Sequence, residues 1–273
     1  MNYKYAIVLG IVAFSSFQAE AKAASVSMLG TANSFGVLGG STVTNTGSSV
    51  ITENLGVSPG SSATGFPPGI VTGTIFTADA VAAQAQVDNA TAYKFLASLS
   101  SNMDLTSQDL GGLILTPGVY SFMSSAQLTG TLTLNNLGDP NALFVFKIGS
   151  TLTTASNSSV LTTTGDIPNV FFQVGSSATL GTGTQFVGNI LALTSITLTT
   201  GANIKCGRAL AQNGAVTLDT NNVSNVCDTM PQEVPEPVPE PDSSIGVLGF
   251  GLVSLLFAFK KRLLSCYATI GTI

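Results

Sequence analysis

The 273-residue chain contains no histidine and no tryptophan, and only 8% of its residues are charged. Without histidine it lacks the side chain that most often serves as a general base near neutral pH and as a metal ligand. Serine and threonine abound, but neither becomes a nucleophile without a base beside it. The sequence holds no nucleophile elbow, no P-loop and no Gly-Gly-x-Gly-x-Asp calcium repeat. Asp79, Asp88, Asp104 and Asp109 are scattered carboxylates rather than an acid/base pair. No enzyme chemistry and no cofactor or metal is therefore expected. Nine Lys and Arg against 14 Asp and Glu give a net charge of -5, which offers no basic stripe to nucleic acid. The missing tryptophan also removes the usual aromatic platform for sugars. Low charge does not mean disorder here, because 44% of the residues are hydrophobic and supply a core.

What the chain does have is a recurring phrase. Thr151-Leu152-Thr153-Thr154 returns as Thr179-Leu180-Gly181-Thr182, Thr197-Leu198-Thr199-Thr200 and Thr217-Leu218-Asp219-Thr220, after a weaker copy at Thr131-Leu132-Thr133-Leu134. The intervals of 20, 28, 18 and 20 residues are those of solenoid coils. Successive strand side chains face opposite ways, so the repeated Leu points inward while its flanking Thr point out. Stacked coils then build rows of Thr, one member about every 4.8 Å. Threonine is also simply a good strand residue, and an outward Thr needs no function. The later coils match beyond the phrase: Gly188-Asn189-Ile190-Leu191-Ala192 aligns with Gly207-Arg208-Ala209-Leu210-Ala211.

One domain is expected over 25–229. Asn45-Thr46-Gly47, Ser58-Pro59-Gly60 and Phe66-Pro67-Pro68-Gly69 mark corners between short strands. Residues 78–99 lack Gly and Pro and predict one amphipathic helix lying along the solenoid. Its apolar face is read as Val81, Ala85, Tyr93, Leu96 and Leu99, with Ala92 and Phe95 beside it. Leu113 to Tyr120 reads as strand, turn and strand, and 142–148 and 170–174 as strands buried on both faces. Cys206 and Cys227 lie one coil apart. Adjacent coils sit within disulfide reach, so a bridge closing the last coil is predicted.

The two ends carry addresses. Residues 1–24 read as an export signal: Lys4, an apolar stretch to Phe17, and a small-x-small site at Ala21-Lys22-Ala23. A Pro/Glu linker over 230–244 contains Val234-Pro235-Glu236-Pro237, repeated at once as Val238-Pro239-Glu240-Pro241. An apolar run and the basic cluster Lys260-Lys261-Arg262 follow over 245–262, then a tail over 263–273 carrying Cys266. This order resembles the PEP-CTERM sorting signal, which implies recognition and trimming by an exosortase-type machinery. A plain single-helix membrane anchor is the alternative reading. Either way the protein is expected outside the cell or on its surface, touching membrane only through that helix.

The body of the chain is similar to the ice-binding-protein-like (DUF3494) family. The resemblance rests on Leu29-Gly30-Thr31-Ala32 with Phe35-Gly36-Val37-Leu38-Gly39-Gly40, and on Asn54-Leu55-Gly56-Val57-Ser58-Pro59-Gly60. Leu115-Thr116-Pro117-Gly118-Val119-Tyr120 and Asp139-Pro140-Asn141-Ala142-Leu143-Phe144-Val145-Phe146 extend it, as do Phe172 to Ala178 and Gly188 to Ala192. It implies a mainly β, irregular three-faced and discontinuous β-solenoid with one long α-helix packed alongside, binding an ice crystal surface through one β face. It also implies a Thr-Ala/Gly-x-Thr/Asn motif, fitted by Thr154-Ala155-Ser156-Asn157 and Thr200-Gly201-Ala202-Asn203, nearly by Thr182-Gly183-Thr184-Gln185, and poorly by Thr220-Asn221-Asn222-Val223. The candidate contact residues are thus Thr151, Thr153, Thr154, Asn157, Thr179, Thr182, Gln185, Thr197, Thr199, Thr200, Asn203, Thr217 and Thr220. Asn157 and Asn203 equally suit corners, where Asn tolerates turn geometry. The competing functional reading is a non-catalytic matrix or adhesion protein using the same scaffold against extracellular polysaccharide.

Overall fold

Strands of two to five residues with alternating polar and branched apolar side chains cannot bury their apolar face alone. They satisfy it by coiling and stacking. The computed structural model describes residues 28–227 apart from Asp166. After a 3-10 turn at Gly30–Ser34, the first coil comprises β1 (Phe35–Gly39), β2 (Thr42–Thr46) and β3 (Val50–Ile51). The second comprises β4 (Asn54–Val57), β5 (Ser62–Thr64) and β6 (Ile70–Val71). Then come β7 (Ile75–Thr77), helix α1 (Ala80–Ser98), β8 (Met103–Asp104) and β9 (Ile114–Leu115). Five further coils complete the body: β10 (Gly118–Phe122), β11 (Ala126–Leu128), β12 (Thr131–Leu134); β13 (Phe144–Ile148), β14 (Leu152–Thr154), β15 (Ser159–Thr162); β16 (Val170–Val174), β17 (Ala178–Leu180), β18 (Gln185–Val187); β19 (Asn189–Ala192), β20 (Ile196–Leu198), β21 (Asn203–Lys205); and β22 (Ala209–Ala211), β23 (Val216–Asp219), β24 (Asn222–Val223).

Three parallel sheets result. Sheet 1 runs β7-β4-β1-β22-β19-β16-β13-β10-β8, sheet 2 runs β11-β14-β17-β20-β23-β2-β5, and sheet 3 runs β6-β3-β24-β21-β18-β15-β12-β9. Inward residues of all three fill one core. Its spine is a file of rings, Tyr120, Phe146, Phe172 and Phe186, with successive centroids 5.4, 4.5 and 4.7 Å apart. The stack order differs from chain order. The chain enters mid-stack at β1, climbs to one end at β7, returns along α1 to the far end at β8, and climbs back until β22 meets β1.

Helix α1 packs on the outer face of sheet 1, so that sheet is buried on both sides. Ala82, Ala85, Asn89, Ala92 and Leu96 face inward at alternating three- and four-residue spacing. Ala85, Ala92 and Leu96 pack with Phe35, Leu38, Val145, Phe171, Leu191 and Leu210. Asp79 caps the helix, accepting from the Ala82 N–H at 2.8 Å. The buried stripe is turned from the one expected. Ala85 and Leu96 are buried and Tyr93 and Leu99 sit at its margin, but Val81 and Phe95 are 47% and 48% exposed. A fully buried Asn89 at the centre of the stripe displaced the expected apolar face.

The junction between the coil of β22–β24 and the coil of β1–β3 is non-covalent and closely fitted. A Cβ at Gly40 would stand 2.2 Å from the Gln212 carbonyl oxygen, so only glycine lets the two coils meet. Arg208 is buried here: Nε and Nη2 donate to the Asn33 carbonyl at 3.1 and 2.9 Å, and Nη1 donates to Asn189 Oδ1 at 2.9 Å. Burial pushes its guanidinium down to about 10, with Glu53 opposing, so it remains charged at neutral pH. Cys206 and Cys227 are bonded, with Cα atoms 4.4 Å apart. The bridged coil is last in sequence but not at an end, since β23 pairs with β2 and β24 with β3. The predicted bridge is thus present on the last coil of the sequence, which lies inside the stack.

Register also corrects the alignment of the repeat. Thr153 pairs with Thr179, not with Gly181, so the Thr151 copy is two residues out of step with the later ones. Thr154 consequently occupies the inward position held by Leu128, Leu180, Leu198 and Leu218 in other coils and is 3% exposed. It lies within the solenoid, not on a face. Its hydroxyl bonds to that of Thr184 at 2.7 Å and accepts from the Gly181 N–H at 2.8 Å. The Thr131 copy forms β12 of sheet 3, a different face altogether.

The export signal at 1–24, the linker with Val234, Pro235, Glu236 and Pro237, the apolar run and basic cluster to 262, and the tail with Cys266 lie outside the described residues. Among the described residues no helix is long and apolar enough to cross a membrane.

Two outcomes follow from this packing. Arg208→Ala should lower stability by about 2–4 kcal/mol, and hydrogen exchange should rise first in residues 30–77 while β13 to β17 stay protected. Thr154→Val keeps the shape but strands the Gly181 N–H and leaves the Thr184 hydroxyl only its bond to the Ala155 carbonyl. A thermal melt should read a loss of about 1–3 kcal/mol.

Candidate functional site

Sheet 1 is covered by α1, which leaves the outer faces of sheets 2 and 3. On sheet 2 the pairings are continuous across every strand: Gln127 with Thr153, Thr153 with Thr179, Thr179 with Thr197, Thr197 with Thr217, Thr217 with Thr44, and Thr44 with Thr64. One outward row therefore reads Gln-Thr-Thr-Thr-Thr-Thr-Thr. At about 4.8 Å per strand it is about 29 Å long. Each Thr sits between inward residues such as Ala178 and Leu180, which fixes its direction through the pleat. Branching at Cβ limits its rotamers further.

The hydroxyls separate this row from its neighbours. Among the described residues, none of the six central Thr hydroxyls has a protein hydrogen-bond partner. The row on one side, through Thr151, is tied sideways: Thr151 Oγ1 donates to Ser125 Oγ at 2.8 Å, Ser177 Oγ accepts from the Ser195 N–H, and Ser195 Oγ accepts from the Ala215 N–H, both at 3.3 Å. On the other side Thr199 Oγ1 donates to the Leu180 carbonyl at 2.8 Å. The central row thus keeps free polar groups beside methyls along its whole length, while several hydroxyls of the flanking rows are engaged.

With Thr154 buried inside, the other expected contact residues divide over two faces and a corner. Thr153, Thr179, Thr197 and Thr217 form the central row, and Thr151 and Thr199 flank it. Asn157 has φ 59° and Thr220 φ 55°, the left-handed conformation taken by Gly183 and Gly201 on the neighbouring coils. Asn157 is therefore a corner residue, and Thr182, Thr200 and Thr220 stand at that same turn between sheets 2 and 3. Gln185 and Asn203 pair with each other on sheet 3 and point away from the Thr row. Asn203 is a strand residue, not a corner. Thr44, Thr64 and Gln127 belong to the row but were missed. Thr42-Val43-Thr44 carries the same alternation, yet it lies at the opposite end of the sequence from the coil it abuts.

Sheet 3 is less uniform. Its outward positions mix Gln185, Asn203 and Asn222 with Ile114, Leu161, Lys205 and Ile70. A polar hollow of about 280 Å³, lined by Ser107, Gln108, Asp109, Ser125 and Gln127, adjoins the β11 end of the row. Burial alone would raise the Asp109 carboxyl there, but the Thr129 hydroxyl and N–H and the Gly111 N–H outweigh it and hold it below the usual range. A carboxylate so engaged is no general base. Among the described residues no three potential metal ligands of the His, Cys, Asp or Glu type come together.

The profile of the Ice-binding-like family matches residues 37–224. An ice-binding protein of Nostoc sp. (strain HG1) is 82% identical over 262 residues, covering 96% of this chain and 97% of that one. The crystal structure of an ice binding protein from an Antarctic biological consortium superposes with a TM-score of 0.69 at 50% identity, over 71% of this chain and 89% of that one. The ice-binding protein of the Antarctic ascomycete Antarctomyces psychrotrophicus gives a TM-score of 0.68 at 41% identity, over 72% of this chain and 96% of that one. With the family profile spanning most of the solenoid and a relative matching nearly end to end, the chain belongs to the Ice-binding-like family.

Proposed function

We propose that this protein adsorbs to ice through the outer face of sheet 2 and thereby restrains crystal growth and recrystallisation. The observation that carries the reading is the in-register row of Thr44, Thr64, Thr153, Thr179, Thr197 and Thr217 with unpartnered hydroxyls. A Thr methyl restrains the water beside it while the hydroxyl joins the ordered layer. Each contact is weak after exchange with water, on the order of 0.5–1.5 kcal/mol. On one rigid frame the cost of immobilisation falls mainly on the first contact, so many weak contacts add as multivalent binding does. The stiff branched side chains lose little rotamer freedom on being held. No bond is made or broken in this process.

The terminal segments support a route outward. An export signal over 1–24 and a sorting segment over 230–262, read by an exosortase-type machinery, would display the domain at the cell surface among extracellular polysaccharide.

Thermal hysteresis and recrystallisation inhibition of the purified full-length chain test the face. Thr179→Tyr and Thr197→Tyr, with circular dichroism unchanged, should each cut activity by about tenfold or more. Thr44→Tyr should cut it too, because the row crosses the junction. Gln185→Tyr on sheet 3 should leave it intact. Full activity in a folded Thr197→Tyr chain would rule out this face. For the route, the intact mass of the protein recovered from host cells should correspond to a start near Ser25 and loss of the C-terminal apolar run; an uncut mass would refute the sorting reading.

A further inference from the structure

Within the seven strands of sheet 2 there is one charged residue, Asp219 at the end of β23. It faces outward, since Leu218 before it points into the core. It pairs with Thr46 on β2 and occupies the row that flanks the central threonines on the side of Thr199. Otherwise that row holds small or hydroxyl residues, among them Ala155, Gly181, Thr199 and Thr46. Asp219 Oδ2 accepts from Thr200 Oγ1 at 2.5 Å, and Oδ1 accepts from Thr220 Oγ1 at 3.1 Å. Two corner hydroxyls therefore aim the carboxylate and hold it in place. They satisfy only part of its acceptor capacity, because an ionised carboxylate offers about four lone-pair sites. The remaining sites face water.

We infer that Asp219 limits the strength with which the sheet 2 face adsorbs to ice. The inference rests on the reading of that face given above. A carboxylate orders water around its own charge, and stripping or reorganising that water is costly. Placed one row from Thr217, it opposes an ice-like layer over the coil of β23 and its neighbours β20 and β2. It also draws the hydroxyls of Thr200 and Thr220 onto itself, so neither is available to the contact layer. The face is thus interrupted by a fixed negative charge near the middle of the stack, where β23 lies between four strands on one side and two on the other.

Three variants of the full-length chain decide this, each with thermal hysteresis, the concentration that halts recrystallisation, and a melting curve. Asp219→Asn removes the charge while keeping size and one acceptor oxygen. It should lower the concentration needed by about twofold or more with melting unchanged. Ala155→Asp places a carboxylate in the same row on the exposed part of the β14 coil and should raise that concentration by a similar factor. Thr197→Tyr reports on the face itself. If Thr197→Tyr abolishes activity but Asp219→Asn leaves it equal or weaker in a folded chain, the inference about Asp219 is overturned and the face stands. If Thr197→Tyr is fully active, the face reading has failed instead. Should Asp219→Asn melt early, Ala155→Asp decides alone, and unchanged activity in that variant overturns the inference.

Discussion

Parallel pairing in register is the constraint on which this molecule depends. Every strand of the three sheets lies parallel to its neighbours, and side chains alternate with a period of two. The pairing of Thr153 with Thr179 and of Thr197 with Thr217 thus keeps each Thr on the same side and stacked on the last. A slip of one residue in any coil would bury a Thr and expose a Leu. Core and surface therefore specify each other: the file of Tyr120, Phe146 and Phe172 inside sheet 1 and the Thr row outside sheet 2 are two outcomes of one register.

The three faces are not equivalent, and the difference traces to α1. Its small inward residues, Ala82, Ala85 and Ala92, let it lie close on the outward apolar side chains of sheet 1. That removes one face from water and leaves two. Of those, sheet 3 mixes Thr and Ser with a lysine, amides and aliphatic side chains, while sheet 2 carries mostly Thr and Ser, with Gln127 at one end and the single carboxylate of Asp219. Uniformity, more than any one residue, distinguishes the sheet that would meet a lattice.

Much of this was legible in the sequence because its signals are local. Alternation named the strands, the Gly- and Pro-free stretch named the helix, the one-coil spacing named the Cys206–Cys227 pair, and the ordered motifs named the family. What escaped depends on distant parts of the chain. Matching letters set Thr151 against Thr179, whereas backbone pairing sets Thr153 there, and so Thr154 was read as surface when it fills a leucine position. Thr44 and Thr64 went unnoticed because their partners lie at the far end of the chain. Asn89 had no place in the apolar reading of the helix, but it sits buried at the centre of the helix stripe. Gln185 and Asn203 matched a motif whose residues turn a corner midway, which carried them onto another sheet.

The chain's entry at mid-stack has a consequence in time. Residues 35–77 leave the ribosome early, yet β1 and β2 have as partners β22 and β23, made late, and the junction contact between Asn221 and Ser49 spans 172 residues. Until then those early strands present an open edge with nothing to pair against. Closure over so long a separation is slow compared with the stacking of adjacent coils. The stack of β10 to β21 is thus able to assemble progressively, while completion of the Thr row awaits a single late docking event. A chain interrupted there would hold a well-formed solenoid and an incomplete surface.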